Sequence, residues 1–475
     1  MKKIIAILLL FSHNALSLPG DGKLVATPYI KGTIYNQMGA YQEAVSVFKE
    51  VLNAEPNNDK AYYQMGVSYL ALRQQDKSIN AFEKSIEINP KNPNPYLYIS
   101  VIYLEKKQYK KTLKLYQRAN KIIPNNRDFY YNTGVIQEIL GKNTKAVEAY
   151  KKSIEIKPKF DSYYRIGIVY SKLKQYQKSL DAYQKATSIN NLIAEVYFGI
   201  GRTYEIMAQY QKAIDSYQIA ASLDQKNPIT YEALGFSYYD LKQYKKALSA
   251  FQKVLKIKPK DYMTYQTIAH IYNKLEQYKN AISALQKVIK IKPDDYASYY
   301  GIVDAYSTLK QYKKAIKILK QLVKLDLNNQ QEAFNEIGVM YGKMNQYNKA
   351  KIYYQKSIEK SSKTNYGPYL NLFEISLITK KPFEKYLVTK FKQLFKNDKT
   401  VMMQYVSLSI LKLIDTKNYN QEKIEALLSD FRHKYAGLSF VDWHWGTSEK
   451  WINAKTDNKQ ALQSALTFFK NFDND

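Results

Sequence analysis

Cysteine is absent from the 475 residues. That rules out a disulfide framework, a zinc–thiolate cluster and a thiol nucleophile, although redox compartment is not read from an absence. Histidine is nearly as scarce: His13, His270, His433 and His444 stand apart, without metal-ligand spacing. The sequence also lacks a glycine-rich phosphate loop, a G-x-S-x-G elbow and an H-E-x-x-H helix. The chain therefore reads as non-catalytic, with no cofactor expected. Arginine is rare too. Arg73, Arg118, Arg127, Arg165, Arg202 and Arg432 are the only ones beneath a formal net charge of +30, so the basic surplus is lysine. Because arginine is the residue for bidentate phosphate contacts, its scarcity argues against nucleic acid as a partner. Lys, Asn, Ile and Tyr are all abundant, as in an AT-rich coding sequence, and the surplus reads as a solvated lysine surface.

Long apolar runs are missing as well. The run Ile4 to Phe11 is far too short to span a bilayer as a helix. Lys2 and Lys3 precede it, and Ala15-Leu16-Ser17 follows as a small-x-small cleavage site. Residues 1–17 therefore look like a bacterial secretory signal peptide cut after Ser17. An exported chain is expected, periplasmic in the first instance, with secretion or envelope association as the other destinations.

What the sequence does contain is a thirty-four-residue period, running about ten times between Val25 and Ser362. In the copy Pro228 to Asp261 it reads Tyr231, Leu234, Gly235, Tyr238, Ala247, Phe251, Val254 and Pro259, at places four, seven, eight, eleven, twenty, twenty-four, twenty-seven and thirty-two. Places four to eleven share one face of a helix, and places twenty to twenty-seven share one face of a second. Each copy is thus an antiparallel helix pair. Small residues at places eight and twenty, such as Gly167 with Ser179 and Gly201 with Ala213, let the two backbones approach. Proline near place thirty-two (Pro56, Pro90, Pro124, Pro158, Pro259, Pro293) ends the second helix.

These residues in this register resemble the tetratricopeptide repeat family over roughly seventy per cent of the chain. There are departures: Ser100 and Val303 stand where glycine or alanine is usual, and Gln137 replaces the place-eleven tyrosine. The resemblance implies an all-α, right-handed solenoid of about ten helix pairs at 25–362, with the concave groove lined by the first helix of each pair and holding an extended peptide or partner helix. Residues 363–475 are expected to form a degenerate helical cap over the open end. Helices are anticipated within Tyr366 to Phe395 with a break near Lys381-Pro382, around Thr400 to Ile414, and over Gln421 to Tyr435. The cap ends in a cluster of Trp443, Trp445 and Trp451 beside His444, read as a small local core. Tetratricopeptide domains that grip acidic chaperone tails use Lys at place five and Asn at place nine. Neither residue occurs at those places here, so that carboxylate clamp is missing.

Place five carries an aromatic series, including Tyr63, Tyr131, Tyr164, Phe198 and Tyr300, expected to open toward the groove. Arg165, Arg202 and Glu232 accompany it as candidate partner-binding residues, and no metal site is expected. Lysines crowd the second helices, whereas the first helices carry carboxylates such as Glu138, Glu205, Asp304 and Glu336. A basic outer face and a mildly acidic groove follow. The leading expectation is an envelope scaffold for a protein or peptide partner. The alternative is an adaptor whose lysine face makes peripheral contact with anionic envelope polymers, glycan or lipid.

Overall fold

The computed structural model describes residues 27–325, 330–360 and 365–379, followed by 381, 384–395, 397–417, 421–435, 452 and 459–471. The leader and the three tryptophans lie outside the described residues. Among the described residues there are 25 helices and no strand, in two compact units, Met1–Gln243 and Tyr244–Asp475.

The first unit is a run of helix pairs: α1 (Pro28–Gln37) with α2 (Tyr41–Ala54), α3 (Asp59–Ala71) with α4 (Gln75–Ile88), α5 (Pro93–Glu105) with α6 (Tyr109–Ile122), α7 (Arg127–Ile139) with α8 (Asn143–Ile156), α9 (Phe160–Lys172) with α10 (Tyr176–Ile189), and α11 (Ala194–Ile206) with α12 (Tyr210–Leu223). Then comes α13 (Pro228–Asp240). In these pairs each first helix packs on its mate, and each second helix packs also on the first helix of the next pair. The second unit opens with α14 (Tyr244–Ile257) and continues as α15 (Tyr262–Lys274) with α16 (Tyr278–Ile291), α17 (Tyr296–Thr308) with α18 (Tyr312–Leu325), and α19 (Gln330–Lys343) with α20 (Tyr347–Glu359). It ends in α21 (Gly367–Ile378), α22 (Lys385–Phe395), α23 (Lys399–Lys417), α24 (Gln421–Tyr435) and α25 (Lys459–Asn471).

The place-eight glycines have a specific partner. A Cβ built on Gly66 would lie 2.7 Å from the Phe82 ring, on Gly134 2.6 Å from Tyr150, and on Gly167 2.5 Å from Tyr183. The place-twenty-four ring of the second helix therefore lies flat over the bare backbone of the first. The sequence departures obey the same rule. Where place twenty-four is only Leu285 or Leu319, place eight is Ala269 or Val303. Ser100 keeps the seat small beneath Tyr116 and also accepts its hydroxyl at 2.6 Å.

Every first helix of the repeats ends the same way. Place fifteen has positive φ in all ten copies, yet only Gly39 and Gly141 are glycines; Arg73, Lys107, Lys174 and Ala208 are among the others, with φ between 54° and 58°. The geometry is a Schellman close: Arg73 N–H donates to the Leu70 carbonyl at 2.9 Å, and Gln74 N–H donates to that of Tyr69 at 2.8 Å. The second helices stop two residues before the prolines, as at Ile88 before Pro90 and Ile122 before Pro124.

In the second unit the buried face of α20, with Tyr354 and Ile358, shares one core with the helices that follow it. Phe373, Phe391 and Tyr405 form its centre, with ring centroids 5.1–5.4 Å apart. Helix α25 adds Leu462, Ala465, Leu466 and Phe469, at helical spacing that the sequence shows but that was not anticipated as a helix; Phe469 meets Phe431 at 4.9 Å.

Candidate functional site

The site is built from first-helix residues of the first unit. Each place-five ring leans on the place-twenty-four ring of its own repeat: Tyr63 on Phe82 at 5.9 Å, Tyr131 on Tyr150 at 5.7 Å, Tyr164 on Tyr183 at 6.1 Å and Phe198 on Tyr217 at 5.5 Å. One face of each ring is thereby packed, and the residue as a whole is half-buried. Glycine, place-twenty-four ring and place-five ring pack in succession, the two rings tilted 44–51° to each other, and this fixes the rings before any partner arrives. Tyr63 also meets Tyr98 edge-on at 5.8 Å, and Phe160 stacks on Tyr164 at 5.8 Å. Tyr300, on α17, belongs to the second unit and is likewise half-buried.

Around Tyr131 the polar groups converge. The Glu138 side chain is only 9% exposed and takes three partners: Lys172 Nζ at 2.7 Å on Oε1, Arg165 Nη1 at 3.8 Å and the Tyr150 hydroxyl at 3.1 Å on Oε2. Arg165 also lies close enough to Tyr131 for its charge to oppose the rise that burial gives that phenol. Burial, and then the charge of Glu138, pushes the Tyr150 phenol well above its ordinary value, so it remains a neutral donor. Two repeats on, Tyr217 donates to Glu205 Oε2 at 2.5 Å, and burial followed by that bond raises its phenol likewise. The place-twenty-four tyrosine thus reaches past the glycine to hold a first-helix carboxylate. Beneath this layer, Arg127 is 8% exposed, pairs with Asp161 and Asp128, bonds Ser162 at 2.9 Å, and lies over the Tyr131 ring at 5.0 Å.

The structure thus brings Tyr131, Tyr164 and Arg165 into one neighbourhood. Tyr63 lies several helices earlier in its own aromatic seam. Phe198 and Arg202 share α11, where Arg202 is exposed, and Glu232 on α13 is half-buried. Sequence reasoning listed Glu138 only as one groove carboxylate and did not single out Tyr150 or Tyr217, because place twenty-four reads as core. It also missed a recurring pair: Lys at place nineteen over Tyr at place eleven, seen for Lys77 on Tyr69, Lys111 on Tyr103, Lys178 on Tyr170 and Lys212 on Tyr204, at 5.5–5.9 Å. The signal was present as a fixed eight-residue separation. These lysines have a packing role, each pair contributing about 0.5–1 kcal/mol. Among the described residues no cluster of His, Asp and Glu could hold a metal ion, and no helix is long and apolar enough to cross a membrane.

Models of the tetratricopeptide repeat match residues 59–92, 160–191 and 228–261, residues 128–160, 194–227 and 331–361, and residues 32–73, 81–114 and 272–334. The chain belongs to the tetratricopeptide repeat family. Membership makes it a helical repeat scaffold for protein interaction. No curated protein matches it. Among solved structures it is similar to MamA from Desulfovibrio magneticus RS-1, with 26% identity and a TM-score of 0.34 over 35% of this chain and 94% of that one. It is similar to YrrB, described as a TPR protein with an unusual peptide-binding site, at 22% identity and a TM-score of 0.35 over 39% and 96%. The C-terminal part of a TPR repeat-containing protein from Cytophaga hutchinsonii aligns at 21% identity and a TM-score of 0.44 over 51% and 99%. These are likenesses of repeat architecture.

Proposed function

We propose that this tetratricopeptide protein is an exported, non-catalytic scaffold of the bacterial envelope, periplasmic in location, which holds an extended polypeptide along the first helices of its first unit. The observation that carries this reading is the pre-packed row of place-five rings beside the Arg165–Glu138–Tyr131 cluster. Rings already ordered by packing offer contact area at little further entropic cost. Glu138 is neutralised by its own neighbours, and it holds Arg165 beside Tyr131, where the two can meet a ligand's backbone. Arg202, which is exposed, supplies a free-standing guanidinium at the edge of the row.

Peptide display on the purified full-length chain tests the groove. Enriched sequences should bind wild type and lose about tenfold or more with Arg165→Ala combined with Tyr164→Ala. If enrichment fails, or if binding is indifferent to that pair, the groove reading is wrong. Export is tested separately, by fractionation and by intact-mass measurement of the mature chain. Removal of residues 1–17 supports it, and an uncut cytosolic chain refutes it.

A further inference from the structure

The lysines of the second helices are unevenly balanced by carboxylates. Second helices of the first unit mostly include carboxylates, as in α4 with Asp76, Glu83 and Glu87 or α8 with Glu148 and Glu155. In the second unit α14, α16 and α18 contain none. The concentration peaks on α18, where Lys313, Lys317, Lys320 and Lys324 follow steps of four, three and four residues and so form one exposed stripe. That stripe borders a cleft of about 690 Å³ between α18 and the next repeat. Lys349 closes its far side, held over the Tyr341 ring at 5.6 Å and bonded to Gln346 Oε1 at 3.0 Å. The lining also includes Ile316, Tyr341 and Met344, with the amides of Gln321 and Gln346. No carboxylate lines it, and among the described residues none of these five lysines forms an ion pair.

The corresponding cleft of the first unit, between α8 and the α9–α10 pair, provides a contrast. It holds about 360 Å³ and sets Lys151, Lys178 and Lys185 against Glu155 and Asp181. Charge balance is thus available at this place in the repeat, and the second unit departs from it.

We propose that the α18 cleft is a second binding site, which takes an acidic amphipathic helical segment of a partner polypeptide. The lysine stripe runs roughly 16 Å at a helical rise of about 1.5 Å per residue. A helix laid alongside, with carboxylates at the same four-three-four steps, meets each ammonium in turn, while its flanking apolar side chains reach Ile316, Tyr341 and Met344. Single carboxylates suit lysine's point charge, and a dense phosphate ligand would favour the guanidinium forks this cleft lacks. This site does not rest on the first-unit groove, so failure of either reading leaves the other standing.

The test is fluorescence anisotropy on the full-length chain with a labelled eighteen-residue peptide bearing Glu at four-three-four spacing and Leu on the adjoining face. Binding should weaken about tenfold with Lys317→Ala/Lys320→Ala/Lys324→Ala, since three exposed ion pairs at up to about 0.5 kcal/mol each amount to that factor. It should weaken further with salt. Lys151→Ala/Lys178→Ala/Lys185→Ala should leave binding unchanged; both triples should keep the wild-type circular dichroism, and the control triple should melt slightly lower because Lys178 and Lys185 leave the Tyr170 and Tyr163 rings. Three results would overturn the proposal. One is equal binding of a peptide with its Glu positions scrambled, another is equal loss from both triples, and the third is tighter, α18-dependent binding of inorganic polyphosphate or phosphatidylglycerol vesicles.

Discussion

At place eight, one hydrogen atom in place of a methyl group decides how closely two helices approach. Gly167 sits under Tyr183 with no room for a Cβ. Gly167→Val should therefore destabilise the chain by about 1–3 kcal/mol. Adding Tyr183→Leu should recover much of that loss, because it recreates the Val303–Leu319 combination already present in another repeat. A double-mutant cycle by denaturant unfolding measures the coupling, and simple additivity would contradict this account. At place fifteen the strain runs the other way: Ala208 has φ of 55°, so Ala208→Gly should stabilise by about 0.5–1 kcal/mol, read as a higher melting temperature. The sequence showed the small seat at place eight plainly. It hid place fifteen, because arginine, lysine and alanine occupy a conformation usually announced by glycine, and the Schellman bonds that hold them there involve backbone atoms alone.

Helix boundaries were legible because the punctuation is chemical. Proline stops the second helices, and Asn58, Asn92 and Asn126 cap the next first helices with side-chain acceptors. Beyond Glu359 the period is lost, and with it the register that located each buried face. The helices there still bury Phe373, Phe391 and Tyr405 in a shared core with Tyr354 and Ile358 of α20. A chain ending at residue 362 should consequently expose that face, melt at lower temperature and aggregate on concentration, as followed by light scattering. An unchanged melt would show that α21–α25 do not protect α20. In the candidate site, place five was legible as an aromatic series. The underlying packing was not, since its middle ring comes from the second helix and only the fold brings it under the first.

For the molecule as a whole, forty-six tyrosines make alkali the revealing stress. Burial raises the phenols of Tyr63, Tyr150, Tyr183, Tyr217 and Tyr354, and pushes Tyr116 up to about 12. Above pH ~10 the unfolded chain releases these protons while the folded chain keeps them, so the folded state binds more protons and stability falls with rising pH. The contribution is complete below pH ~10 and, for Tyr116, is lost by about 12. Denaturant midpoints measured from pH 8 to 12 should drop steeply above 10, and a flat profile would contradict the packing described. The central claim concerns what the first unit holds, and in-cell photo-crosslinking tests it most directly, with a probe at Tyr164 and a control probe at exposed Lys151 on the second-helix face. The account predicts one discrete polypeptide captured from position 164 and not from 151. Glycan or lipid adducts alone, or the same products from both positions, would contradict it.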